Sequence, residues 1–261
     1  MANLASVLGS LCEDNGTYFT DAPEDWAQGR ALFGGIVAAL CAQTARLSVP
    51  GLPPLRSAQV TFAGPAQGRL GFRADLLRRG KSTTVIGVDC ASEGRFAARV
   101  TLTYGVARES RIEHDLTERP SVPEPLDCKP FFPAGHTPPG FFPNFEMRIA
   151  DGARPLSGAE KPEFSVWVRH VEEDGVDPTI ALVALADSLP PAAMVHFPMM
   201  APISTMSWGI DFRQPLTLRG WHLLRSTSEQ AADGYSLQSM SVWDAQGKRI
   251  AAGRQAVALF I

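Results

Sequence analysis

Across residues 30–47, Leu32, Ile36 and Leu40 fall at i, i+4 and i+8 beside Phe33, Val37 and Cys41. This is the spacing of a helix with a broad apolar surface, and it ends before Pro50. Strand-like patterning then takes over in four runs, 57–62, 70–78, 83–91 and 95–104, divided by glycine-containing turns such as Arg79-Gly80-Lys81 and Glu93-Gly94. The second half repeats this order. Strand-like runs near 145–149 and 164–171 precede a helix over 179–189, and further strands follow around 207–212, 221–229, 236–243 and 249–261. Asp177-Pro178 supplies an N-cap and a first-turn proline for that helix, and Pro190-Pro191 stops it.

Eight of the chain's 21 prolines lie between positions 119 and 143, a density that opposes both helix and central strand and favours an extended connection. The predicted division is therefore a first unit over 1–110, a Pro-rich linker over 111–143 and a second unit over 144–261. The units share a motif: Val60-Thr61-Phe62-Ala63-Gly64-Pro65 returns about 150 residues later as Ile210-Asp211-Phe212-Arg213-Gln214-Pro215. A duplication explains this, and one long helix followed by an antiparallel meander, twice, suits an α+β double hotdog in which each sheet wraps its own helix. Two such units fused in one chain can pair their sheets edge to edge and diverge independently.

Composition narrows the function. With 261 residues, 45% of them hydrophobic, the chain has material for a large core. A net charge of −3 argues against a nucleic-acid partner, which needs clustered Lys and Arg. No run reaches the length of a membrane span, and the N-terminus lacks the charged front of a signal peptide, so a cytoplasmic location is expected. Cys12, Cys41, Cys90 and Cys128 are widely spaced without C-x-x-C pairs or nearby histidines, which suggests reduced thiols and no metal site. Gly80-Lys81-Ser82 ends like a phosphate loop, but Asp75 stands where the pattern needs its first glycine. No nucleophile elbow, zinc motif or dinucleotide fingerprint is present, and no cofactor is expected.

Three polar residues stand out. Asp187 shares a face with Ile180 and Val183 on the second helical run. A carboxylate there needs partners; it could position or deprotonate a water, or serve as a mid-helix Asp bonded to a backbone amide or an arginine. Gln255 alternates into one face with Val257, Leu259 and Ile261, where its amide could hold a water or a carbonyl oxygen, or simply bond a neighbouring loop. Thr205 precedes the alternating Met206, Trp208, Ile210 and Phe212, so period two points it to the opposite, less apolar side. It could orient a water or be an ordinary strand-end threonine. Periodicity alone does not bring the three together.

The segments Gly29-Arg30-Ala31-Leu32-Phe33-Gly34-Gly35, Ala184-Leu185-Ala186-Asp187-Ser188, Thr205 through Pro215, and Asp244 through Gln255 resemble the acyl-CoA thioesterase II family. The resemblance implies a double hotdog in which Asp187, Thr205 and Gln255 hold the attacking water, an acyl-CoA substrate and a homo-oligomer. Arg56 and Gln59 depart from the histidines some relatives carry. On this reading the amides of Gly34 and Gly35 could bind the developing oxyanion, or the glycines could serve helix packing. Phe33, Val37, Met194, Met206 and Trp208 are candidate acyl-chain contacts, and residues 197–202 a candidate lid. Two other functions fit the pattern. A hotdog hydratase or dehydratase would place a histidine five residues after the Asp, where Ala192 stands, and an acyl-CoA binding protein would keep the fold without turnover.

Overall fold

The computed structural model describes residues 2–261 except Ala134, His136, Thr137, Pro139, Gln214, Pro215, Thr217 and Leu218. The final Gln214-Pro215 of the repeated motif and part of the Pro-rich segment thus lie outside the described residues.

The first half runs α1 (Leu4–Gly9), β1 (Cys12–Asp14), β2 (Thr17–Asp21), the short pair β3 (Ala27–Gln28) and β4 (Ala31–Leu32), α2 (Gly34–Ser48), β5 (Leu55–Phe62), β6 (Arg69–Arg79), β7 (Thr83–Ser92) and β8 (Arg95–Gly105). The second runs β9 (Lys129–Pro130), β10 (Phe145–Gly152), β11 (Glu163–His170), α3 (Pro178–Ala186), β12 (Ile203–Phe212), β13 (His222–Ala232), β14 (Tyr235–Asp244) and β15 (Arg249–Leu259). All strands but β3 and β4 join one 13-stranded sheet in the order β1-β2-β6-β7-β8-β5-β12-β15-β14-β13-β11-β10-β9. Read outward from the β5–β12 junction, the order is the same on both sides, with β5 matched to β12, β8 to β15, β7 to β14 and β6 to β13.

The duplicated strands β5 and β12 meet at the centre. They pair antiparallel, with Val60 opposite Trp208, Gln59 opposite Gly209 and Ala58 opposite Ile210. A residue and its repeat therefore exchange partners across a local twofold, as in an isologous dimer interface. Gly209 leaves room on this axis for the exposed Gln59 side chain, whose Oε1 would lie 2.7 Å from a Cβ at position 209.

α2 and α3 pack against each other, α2 also against β6, β7 and β8 and α3 against β11. α3 is apolar all round, and Ile180 through Ala186 are buried, as such a helix requires. The Asp177 carboxylate caps it by accepting from the amides of Thr179 and Ile180, a contact worth about 1 kcal/mol. Both helices are shorter than the periodicity predicts. Positions 31–32 are taken by the β3–β4 pair, and α2 starts only at Gly34. α3 has nine residues and ends at Ala186, so the second helix is not long, and Asp187 stands at its C-cap instead of in its middle.

The Pro-rich segment is more than a connection. Lys129–Pro130 forms an edge strand beside β10, the sheet position that tolerates proline. Phe131 and Phe141 enter the core, where Phe141 stacks on Phe33 at 3.9 Å between ring centroids.

Candidate active site

The site forms where the N-terminus of α2 abuts the C-terminus of α3, and two glycines permit that approach. A Cβ on Gly35 would lie 2.5 Å from the carbonyl oxygen of Ala184, and one on Gly34 would lie 2.7 Å from Asp187 Oδ2. Helix packing and site geometry thus share the same pair of residues.

Asp187 accepts a hydrogen bond at Oδ1 from Gln255 Nε2 at 2.5 Å. The opposite end of that amide, Oε1, accepts from Gln238 Nε2 at 2.5 Å, and Gln238 Oε1 accepts from the backbone amide of Ala192 at 3.1 Å. Both glutamines are buried. Burial pushes the Asp187 carboxyl up to about 7, opposed by the Gln255 amide and the Gly35 backbone N–H directed at it. A carboxyl in that range is poised to exchange a proton near neutrality.

Thr205 reaches the same place through a fault in the strand. In the β12–β15 pairing Thr205 faces Val257 while Ser207 faces Ala256, so Met206 is an inserted bulge residue. The insertion reverses the alternation. Thr205 lies on the same side as Trp208 and Ile210, not opposite to them as an unbroken period of two predicts, and Met206 is turned out to solvent. A cavity of about 450 Å³ opens here, its wall including Gly34, Val37, Phe62, Asp187, Thr205 and Gln255. Arg30 is the other charged side chain on its wall among the described residues.

Asp187, Thr205, Gln255, Gly34 and Val37 thus line one cavity. Gly35 is buried behind it, with its N–H towards the carboxylate rather than free for a ligand. Of the other expected acyl contacts, Phe33 stacks in the core, Trp208 is buried and donates to Met240 Sδ, and Met194 is buried in a single 3-10 turn. Met206 points outward. These four are not on the wall of this cavity; apolar character alone does not separate a cavity wall from the core that takes Phe33, Trp208 and Met194.

Phe62, Leu189 and Ile203 line the cavity instead. Gln238 also escaped sequence reasoning, although the signal was present. It alternates with buried Ser236, Met240 and Val242, the pattern that singles out Gln255. His196, the histidine nearest Asp187 in sequence, is exposed and contacts the carbonyl of Glu160, and no histidine lines the cavity among the described residues.

The two halves differ at places related by the local twofold. The β5–β8 pairing repeats the bulge of β12–β15, at Arg56. Through these registers Leu55 corresponds to Thr205 and Leu102 to Gln255. Both leucines are buried, so apolar packing fills the places that carry polar groups in the second half.

The sequence matches the profile of an acyl-CoA thioesterase N-terminal domain over residues 22–105 and that of an acyl-CoA thioesterase C-terminal domain over residues 124–259. No curated protein matches it. Solved structures share its fold from end to end. A hot dog fold protein of unknown function from Alicyclobacillus acidocaldarius superposes with a TM-score of 0.89 at 22% identity, covering 100% of this chain and 99% of that one. A protein assigned as a thioesterase II from Thermobifida fusca gives 0.84 at 21% identity, with 100% and 98% covered. An acyl-CoA thioesterase II from Mycobacterium marinum gives 0.77 at 20% identity, with 98% and 97% covered.

Proposed function

Because this chain belongs to the acyl-CoA thioesterase family, we propose that it hydrolyses fatty acyl-CoA to a free fatty acid and CoA by direct attack of water. The observation that carries the reading is the Asp187 carboxylate, held by Gln255 on the wall of a cavity it shares with Thr205. In its ionised form Asp187 takes a proton from a water whose position Gln255 and Thr205 define. The water oxygen bonds to the thioester carbonyl carbon, and negative charge develops on the carbonyl oxygen. Gly34 lies at the positive N-terminus of α2 on the cavity wall, and its amide is the candidate donor to that oxygen. Collapse of the tetrahedral intermediate breaks the C–S bond, and the proton held by Asp187 passes to the leaving thiolate. No covalent acyl-enzyme is needed.

A hydratase or dehydratase pairs an acidic residue with a histidine, which the cavity wall lacks among the described residues. No helix among the described residues is long and apolar enough to cross a membrane. We take the physiological unit to be a cytoplasmic homo-oligomer.

The direct test is thiol release from a panel of short to long acyl-CoAs by wild type and Asp187→Asn. Release by wild type with a loss of roughly 10²–10⁴-fold in the variant is expected. Equal release by a folded variant would remove Asp187 from the mechanism, and acyl-CoA binding without release by either protein would identify a binding protein.

A further inference from the structure

The chain of hydrogen bonds behind Asp187 has a direction. Its far end is the backbone N–H of Ala192, which can only donate. Gln238 must therefore present Oε1 to Ala192 and Nε2 to Gln255, and Gln255 must in turn present Oε1 to Gln238 and Nε2 to Asp187. An isolated glutamine could turn either end of its amide towards a carboxyl group. Here the backbone decides.

We propose that Gln238 is a positioning residue for hydrolysis: it fixes the Gln255 side chain so that the amide NH₂, and not the carbonyl, meets the attacking base. The inference rests on the reading of Asp187 as that base, and it adds a residue that touches neither the cavity nor a bound acyl group.

The structural setting favours a fixed donor. Gln238 is 2% exposed, on β14 beside Gln255 of β15, so it has little access to solvent that could substitute for a lost partner. Ala192 opens a 3-10 turn held on both sides. Pro190 and Pro191 precede it, and the Met194 and Val195 carbonyls accept from Leu156 and Gly158. The anchor is therefore rigid. With Nε2 of Gln255 towards Asp187, the ionised carboxylate receives a donor; with Oε1 towards it, two acceptors would face each other until Asp187 took up a proton. Few other charges act on this equilibrium. Arg30, from the segment before β4, shares the cavity wall, while the parts of α2, β5, β8, β12 and β15 that line it contribute no titratable group.

Two substitutions test the idea through pH–rate profiles. Gln238→Met removes the donor to Gln255 Oε1 at similar volume. Turnover should fall roughly tenfold with KM little changed, and the midpoint of the profile should move upward, because Gln255 no longer always donates to the carboxylate. Gln238→Glu keeps the shape. Protonated, its hydroxyl donates to Gln255 as the glutamine does; ionised, it forces the Gln255 NH₂ towards position 238 and away from Asp187. Its profile should be bell-shaped where the wild-type profile rises to a plateau.

A Gln238→Met enzyme with wild-type turnover and midpoint overturns the proposal, as does a plateau in Gln238→Glu. If Gln238→Met does not fold, the isosteric Gln238→Glu decides alone. Asp187→Asn, run in parallel, separates the two readings: activity retained there sinks the base assignment, whereas activity lost there with unaltered Gln238 variants sinks only the positioning role.

Discussion

Gly34 and Asp187 lie so close that a methyl group on the glycine would be 2.7 Å from the carboxylate Oδ2, and 2.9 Å from the Phe62 ring. Position 34 therefore meets only side-chain tips. Gly34→Ala is expected to keep the fold while displacing the carboxylate, which lowers kcat tenfold or more on the scale of a misplaced catalytic group. Gly35→Ala differs, because its methyl would meet the Ala184 backbone carbonyl. Forcing the helices apart should cost about 1–3 kcal/mol. Thermal melting and thiol release on both variants check the pair: Gly34→Ala loses mainly activity and Gly35→Ala mainly stability.

The pH dependence of hydrolysis follows from Asp187. Its carboxyl, pushed up to about 7 by burial, is the base only when ionised. In wild type kcat/KM should climb tenfold per pH unit below about 7 and level off above it. A profile already flat at pH 5 would show that Asp187 is ionised throughout and that burial does not control it.

The same shift links stability to pH, with the opposite sense from a salt-bridged acid. The native carboxyl titrates near 7, against an ordinary value of 3.8. Between those values the folded protein retains a proton that the unfolded chain has released, so this group's contribution is full below about pH 4 and is lost as pH rises to about 7. Asp187→Asn removes the titration. Its melting temperature relative to wild type should rise from pH 4 to pH 7 and stay constant above, and a difference independent of pH would contradict the shift.

Gln255 serves two partners, so its loss should have two effects. Gln255→Met leaves Gln238 Nε2 buried without an acceptor, which costs about 1–3 kcal/mol. It also takes from Asp187 a donor that holds its pKa down, so the midpoint of any residual activity should move to higher pH. Denaturant unfolding and the pH–rate profile measure the two separately, and an unmoved midpoint would show that Gln255 does not act on the carboxylate.

Much of the fold was legible in the chain because burial writes its period into the sequence. The helix–meander order, the duplicated hexapeptide, the Asp177-Pro178 entry to α3 and the anomaly of a carboxylate in an apolar run are all local signals. The strands that carry the repeat, β5 and β12, pair at the centre of the sheet, a position the repeat itself did not announce. Asp187 and Gln255 could be singled out because each is polar in an apolar phase.

What the tertiary structure decided is which residues meet. Period two placed Thr205 on the wrong side, since a one-residue bulge at Met206 reverses the phase without any compositional mark. Val37 faces the cavity while Phe33 and Trp208 do not, because apolar residues on a wall and in a core look alike in sequence. Gln238 and Gln255 stand 17 positions apart and bond only because β14 and β15 pair in one register. Patterning records how deeply each residue is buried; the direction of a hydrogen bond depends on the neighbour that folding supplies.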